Sequence, residues 1–133
     1  MQQYDTISDN EWLVMEILWC SGRTKSSTVA DELKVSKGWA NETVRTFLKR
    51  LIKKGVVAAS QDKKDKRIYW YYATVSKEDY IALQTKGHLE RYYSGRLPQL
   101  VAGLLKDESI SEQELNEIEG ILKQHTNRQE EKL

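Results

Sequence analysis

Between positions 37 and 67 the chain sets ten Lys or Arg against three Asp or Glu, whereas residues 1–36 carry three against six and residues 68–133 eight against eleven. A local excess of +7 is thus hidden inside an overall net charge of +1. Such asymmetry presents one surface to an anionic partner. On charge alone that partner is DNA, RNA or an acidic protein.

The stretch WANETVRTFLKRLIKK at 39–54 contains residue types suited to different tasks. Thr43 and Thr46 are short enough to let a helix approach base edges, and each can donate, accept or offer a methyl group to thymine. Arg50, with Arg45 at the margin, can reach guanine O6 and N7 or a phosphate. Asn41, Lys49, Lys53 and Lys54, and further on Lys63, Lys64, Lys66 and Arg67, suit phosphate contacts, because a flexible ammonium carries little sequence information. Any one of these positions is equally compatible with a solvated face. Ten cations on neighbouring segments are not so easily explained. Trp39 reads as a wedge that seats the helix rather than as a base-stacking residue.

Catalysis has no comparable support. His88 and His125 stand outside any close metal-ligand spacing, no glycine loop suits a phosphate, and no Ser, Cys and His set follows a local motif. The carboxylates at 107–119 read as a solvated acidic face. Neither a metal nor another cofactor is expected. The single Cys20 excludes an internal disulfide, and its setting ILWC suggests a buried thiol. No apolar run approaches the roughly 18 residues of a membrane span, and MQQYDTISDNE lacks a secretory pattern, so a cytoplasmic protein is expected.

The elements that must position these side chains follow from caps and periodicity. Ser8 to Glu11 has the capping-box arrangement and opens a helix over about 9–20; a short second helix follows at about 26–34. Taking 100° per residue, Val44, Phe47, Leu48, Leu51 and Ile52 share one arc of a third helix, while Thr43, Thr46, Lys49, Arg50, Lys53 and Lys54 lie opposite. Gly55 ends it in the left-handed conformation. VVAASQ, DKKDK and RIYWYYATV then read as strand, charged turn and strand, with Ile68, Trp70 and Tyr72 on one side and Tyr69, Tyr71 and Ala73 on the other.

Ser76 caps a long helix to about Tyr93, LPQLVAGLL gives a short one, and Ser111 caps a last helix to about 124, before a tail at 127–133 expected to fray. The stripes of this region, Tyr80, Leu83, Leu89, Tyr92, Leu97, Leu100, Val101, Leu104, Leu105, Leu115, Ile118, Ile121 and Leu122, are too narrow for an independent core. A second copy of the chain satisfies them best, with intramolecular packing on the head as the rival. Helix, helix, helix and two-strand wing make a winged helix-turn-helix over 1–75, followed by a helical dimerisation region over 76–126. The fold class is mainly α with a small β-hairpin.

ISDNEWLVMEILW at 7–19, GWANETVRTFLKRLIKKGVV at 38–57, RIYWYYATVSKEDY at 67–80 and LPQLVAGLLKDESISEQELNEIEGIL at 97–122 together resemble the family of penicillinase, methicillin-resistance and copper-transport repressors. That resemblance implies homodimers whose amino-terminal winged domains bind palindromic operators in double-stranded DNA and whose carboxy-terminal helices form the dimer interface. It matches the recognition helix to about 40–53, Thr43 and Thr46 to positions that face bases, and Arg50 to a basic position of the motif. It also implies repression of resistance or copper-export genes until a signal intervenes.

Three departures are visible. Antibiotic-responsive members are cleaved between Asn and Phe in the first part of the tail, where this chain has Gly103 and Leu104. Copper-responsive members end in paired cysteine motifs, and here no cysteine follows Cys20. Ala40-Asn41 replaces the usual Ser-Pro, and Asn41 itself is a candidate cap. The expected function is a dimeric sequence-specific repressor of transcription. Non-specific architectural DNA or RNA binding and a winged-helix protein-interaction module are the alternatives, and an inducer, protease or regulatory partner remains to be named.

Overall fold

The order of elements is α1 (Asp9–Ser21), α2 (Ser26–Glu32), α3 (Asn41–Lys53), β1 (Val57–Gln61), β2 (Tyr69–Ala73), α4 (Lys77–Tyr93), α5 (Leu97–Leu104) and α6 (Glu112–Glu131). The structure is a computed structural model that describes residues 5–132. It divides into two compact units, Met1–Gly87 and His88–Leu133.

The first unit is the winged helix-turn-helix expected from the element order. At the start of α1 the Glu11 amide donates to Ser8 Oγ (3.2 Å) and the Ser8 amide donates to Glu11 Oε1 (2.8 Å), which satisfies two otherwise orphaned donors. Val14, Met15 and Leu18 of α1 meet Val29 of α2, Val44, Leu48 and Leu51 of α3 and Val56 in a core from which water is excluded. Another flank of α1 carries Trp12 and Trp19, whose rings lie 5.2 Å apart and 6.1 Å from that of Tyr80. A helix apolar on two sides is one packed on two sides. Cys20 follows Leu18 by about 200° of helical rotation, and it is exposed, not buried as its apolar neighbours suggested.

Of the expected α3 arc, Val44, Leu48 and Leu51 are enclosed and Phe47 is half-buried against Trp39, ring centroids 4.8 Å apart. Ile52, at the edge of the arc, is exposed. Gly55 has φ of +85°, and the chain reverses there with the Val56 amide donating to Leu51 O (3.2 Å). That turn delivers Val56 and Val57 into the core at the start of the wing.

β1 and β2 pair antiparallel with Val57 opposite Ala73 and Ser60 opposite Trp70. A one-residue bridge extends this sheet: Thr24 and Tyr71 exchange both backbone hydrogen bonds, at 2.9 and 2.8 Å. Tyr71 and Ala73 pack toward the core, so Trp70 and Tyr72 belong to the opposite face.

Tyr80 corrects an expectation. Its spacing suits the dimerisation stripe, yet it is buried in the first unit, where its hydroxyl accepts a hydrogen bond from the Ile7 amide (3.0 Å). Ser76 caps α4 through the Asp79 amide (3.1 Å).

In the second unit, positive φ at Ser94 and Gly95 breaks the chain after α4, and the Gly95 amide donates to Leu89 O (3.1 Å). Ser111 caps α6 by accepting from the Glu114 amide (3.1 Å). This helix continues through Glu131, beyond the expected end near 124. Its extension contains no Gly or Pro, and Arg, Gln and Glu are good helix formers. Leu133, the last residue of the tail expected to fray, lies outside the described residues. No described residue of this unit is buried, and Leu104, Ile121 and Leu122 each leave more than 60% of their surface open.

Candidate nucleic-acid interface

Docking of Val44, Leu48 and Leu51 fixes which side of α3 faces outward. Arg45, Thr46, Lys49, Arg50 and Lys53 are exposed there and Thr43 is half-buried. Among the described residues none of Arg45, Lys49, Arg50 and Lys53 forms an ion pair. Thr46 Oγ1 donates to Glu42 O (3.1 Å), which leaves its oxygen lone pairs and methyl group to meet a partner. Arg45 Nε lies 3.5 Å from Ser26 Oγ and Arg50 sits 5.8 Å from the Phe47 ring, so both guanidiniums are steadied at their bases.

Asn41 and Lys54 do not sit as expected. The cap of α3 is Ala40, with no side-chain hydrogen bond, and Asn41 is the first helical residue; its Oδ1 is buried without a hydrogen-bond partner. It neither caps the helix nor directs that oxygen toward solvent. Lys54 is the larger correction. Its ammonium lies 2.6 Å from Oε1 of the buried Glu11 and 2.8 Å from the Thr6 carbonyl oxygen. Lys54 is therefore held by the fold and does not present its ammonium to a phosphate as expected. Burial pushes the Glu11 carboxyl up, but the hydrogen bonds from Lys54 and Ser8 and the charge of Lys54 outweigh it and hold the pKa below the usual carboxylate value.

The wing tip is built on two aspartates. Asp62 Oδ2 accepts from the amides of Lys64 and Asp65, both at 3.0 Å, and Oδ1 accepts from Trp70 Nε1 at 3.0 Å. The Trp70 hydrogen bond, followed by those two amides, holds Asp62 below its ordinary pKa. Asp65 grips Arg67 with two side-chain hydrogen bonds, 3.0 and 3.1 Å, which lowers its own pKa and halts much of the Arg67 charge locally. Lys63, Lys64 and Lys66 remain exposed and, among the described residues, without an ion pair. A turn closed by its own carboxylates thus aims three ammoniums outward.

Two cations escaped the reading of the sequence. Arg23 and Lys25 flank the bridged Thr24 and lie 6.0 and 5.3 Å from the centre of the Trp70 ring. A one-residue bridge has no periodicity to betray it. Gly103 and Leu104 lie in the last turn of α5, both exposed. Among the described residues no group of three or more His, Cys, Asp or Glu is arranged to hold a metal ion, and no helix is long and apolar enough to cross a membrane.

This geometry has relatives. A model of the penicillinase repressor family matches residues 7–124. The penicillinase repressor of Bacillus licheniformis is 34% identical over 131 residues, covering 98% of this chain and 100% of that protein. The methicillin resistance regulatory protein MecI of Staphylococcus aureus (strain N315) is 33% identical over 116 residues, 87% of this chain and 92% of MecI. Among solved structures, the monomeric form of Bacillus licheniformis BlaI in complex with the blaP half-operator aligns with a TM-score of 0.50 and 31% identity, over 60% of this chain and 94% of that one.

Proposed function

The chain belongs to the penicillinase repressor family, and we propose on that footing that it is a dimeric, non-enzymatic repressor of transcription that occupies a pseudo-palindromic site in double-stranded DNA. The observation that carries this reading is the pairing of the exposed basic outer face of α3 with the three exposed ammoniums of the wing tip, on a fold shared with a repressor solved on a half-operator. Thr43, Thr46 and Arg50, with Arg45 beside them, read base edges in the major groove. Lys49, Lys53, Lys63, Lys64 and Lys66 hold phosphates, with Arg67 contributing what its pairing to Asp65 leaves over.

Dimerisation rests on the apolar faces after α4. Leu97, Val101, Leu104, Leu105, Leu115, Ile118, Ile121 and Leu122 all expose large apolar side chains, with Tyr92 at the end of α4. Faces of this kind are satisfied by a second copy, which also brings two recognition helices to one duplex. The protein acts in the cytoplasm, where its DNA is.

Selection of bound duplexes from random sequence tests the proposal. An enriched inverted repeat, bound better than its scrambled form, is expected; no enrichment, or stronger binding to RNA competitor than to duplex, would overturn it.

A further inference from the structure

We propose that the outer face of the wing sheet, together with the end of α1, is a binding site for a small planar aromatic carboxylate. The bridge between Thr24 and Tyr71 carries the argument from backbone to site. Thr24 is buried with Tyr71 on the inner face, and side chains alternate along a strand. Arg23 and Lys25 therefore share the outer face with Trp70 and Tyr72, as the two cation–ring distances attest.

Between this face and Leu18, Trp19 and Gly22 at the end of α1 runs an open groove of about 1100 Å³. That volume is ample for a small molecule, whose sites are typically about 300–1,000 Å³, apolar, and furnished with a few convergent polar groups. Trp19, Trp70 and Tyr72 supply aromatic surface; Arg23, Lys63 and Lys64 supply the charge. Among the described residues Asp62 is the one carboxylate of the lining, and it already accepts three hydrogen bonds from the Lys64 and Asp65 amides and the Trp70 indole. An incoming anion thus meets three cations and one carboxylate that is already engaged by three hydrogen-bond donors of the wing. Arg23 donates through Nη2 to Ser60 Oγ (2.8 Å), which anchors the guanidinium while leaving further N–H groups for a bidentate carboxylate. A neutral aromatic ring would gain the floor and forgo the rim.

The site also bears on DNA. Lys63 and Lys64 line the groove and belong to the wing tip, so an anion held there neutralises cations that the proposed operator contact uses. This coupling rests on the proposed function; the binding site itself does not.

Equilibrium dialysis of the full chain against 2-naphthoate, without DNA, separates the two. Saturable binding at one site per chain is expected, weakened about tenfold or more by Arg23→Gln and by replacing the probe with neutral 2-naphthylmethanol. Arg23 is exposed, so the variant should keep the wild-type thermal melt. Absence of saturable binding, or equal affinity for the alcohol or for Arg23→Gln, overturns the site. Adding 2-naphthoate to the protein on its selected duplex should then weaken DNA binding in the wild type and not in Arg23→Gln. An unchanged DNA affinity overturns the coupling alone and leaves the site standing.

Discussion

Lys53 and Lys54 are neighbours of the same type, and the fold gives them opposite tasks. Lys53 is exposed, while Lys54 compensates a carboxylate buried 43 residues earlier in the chain. Nothing in the pattern of charges separates the two; helical projection places both outside, and only the position of Glu11 in the folded unit decides. The same applies to Tyr80, whose spacing suits a stripe but whose hydroxyl is claimed by the Ile7 amide. Three predictions belong at this scale. Removing Lys54 should leave Glu11 charged and buried, a loss on the order of 3 kcal/mol. Because Glu11 has a lowered pKa when folded, its contribution is complete above the unfolded value of about 4.3 and is lost as pH falls through the folded value. Thermal melts from about pH 5 to about pH 3 should therefore fall less steeply for Glu11→Gln than for the wild type; parallel curves would contradict this assignment. Arg50→Ala should cost about 1–3 kcal/mol of discrimination for the preferred duplex if the guanidinium pairs with guanine. Equal weakening on all duplexes would place Arg50 on phosphate.

At the scale of elements, amphipathicity and caps make the helices of both units legible. Ser8, Ser76 and Ser111 each accept the helix amide that their spacing predicts, and Gly55 takes the positive φ that the end of α3 requires. The bounds of α1 follow from its cap and spacing, but because it packs on two sides its apolar neighbours do not tell that Cys20 is exposed. The bridge at Thr24 was invisible, and with it the third edge of the wing sheet, since one residue carries no period. The wing tip shows why DKKDK is not merely a charged turn: the aspartates build the loop and the lysines are left to face outward. Lys64→Ala should consequently weaken binding almost uniformly across sequences and make its salt dependence shallower by roughly one unit of slope. A titration across salt concentrations that returns the wild-type slope would remove Lys64 from the phosphate contacts.

For the whole molecule, most of the exposed large apolar side chains among the described residues lie after residue 87. None of the described residues there is buried, and the exposed Leu and Ile side chains of α5 and α6 are those that periodicity had marked. Their covering by a second copy, as proposed above, would link packing to function, because two heads joined through one interface impose a fixed distance between half-sites. Affinity for the selected inverted repeat, measured while the spacing between its halves is increased one base pair at a time through a full helical turn, tests this directly. One preferred spacing is expected, with a steep loss of affinity on either side and weak binding of an isolated half-site. Affinity that ignores the spacing, or a half-site bound as tightly as the full repeat, would contradict it.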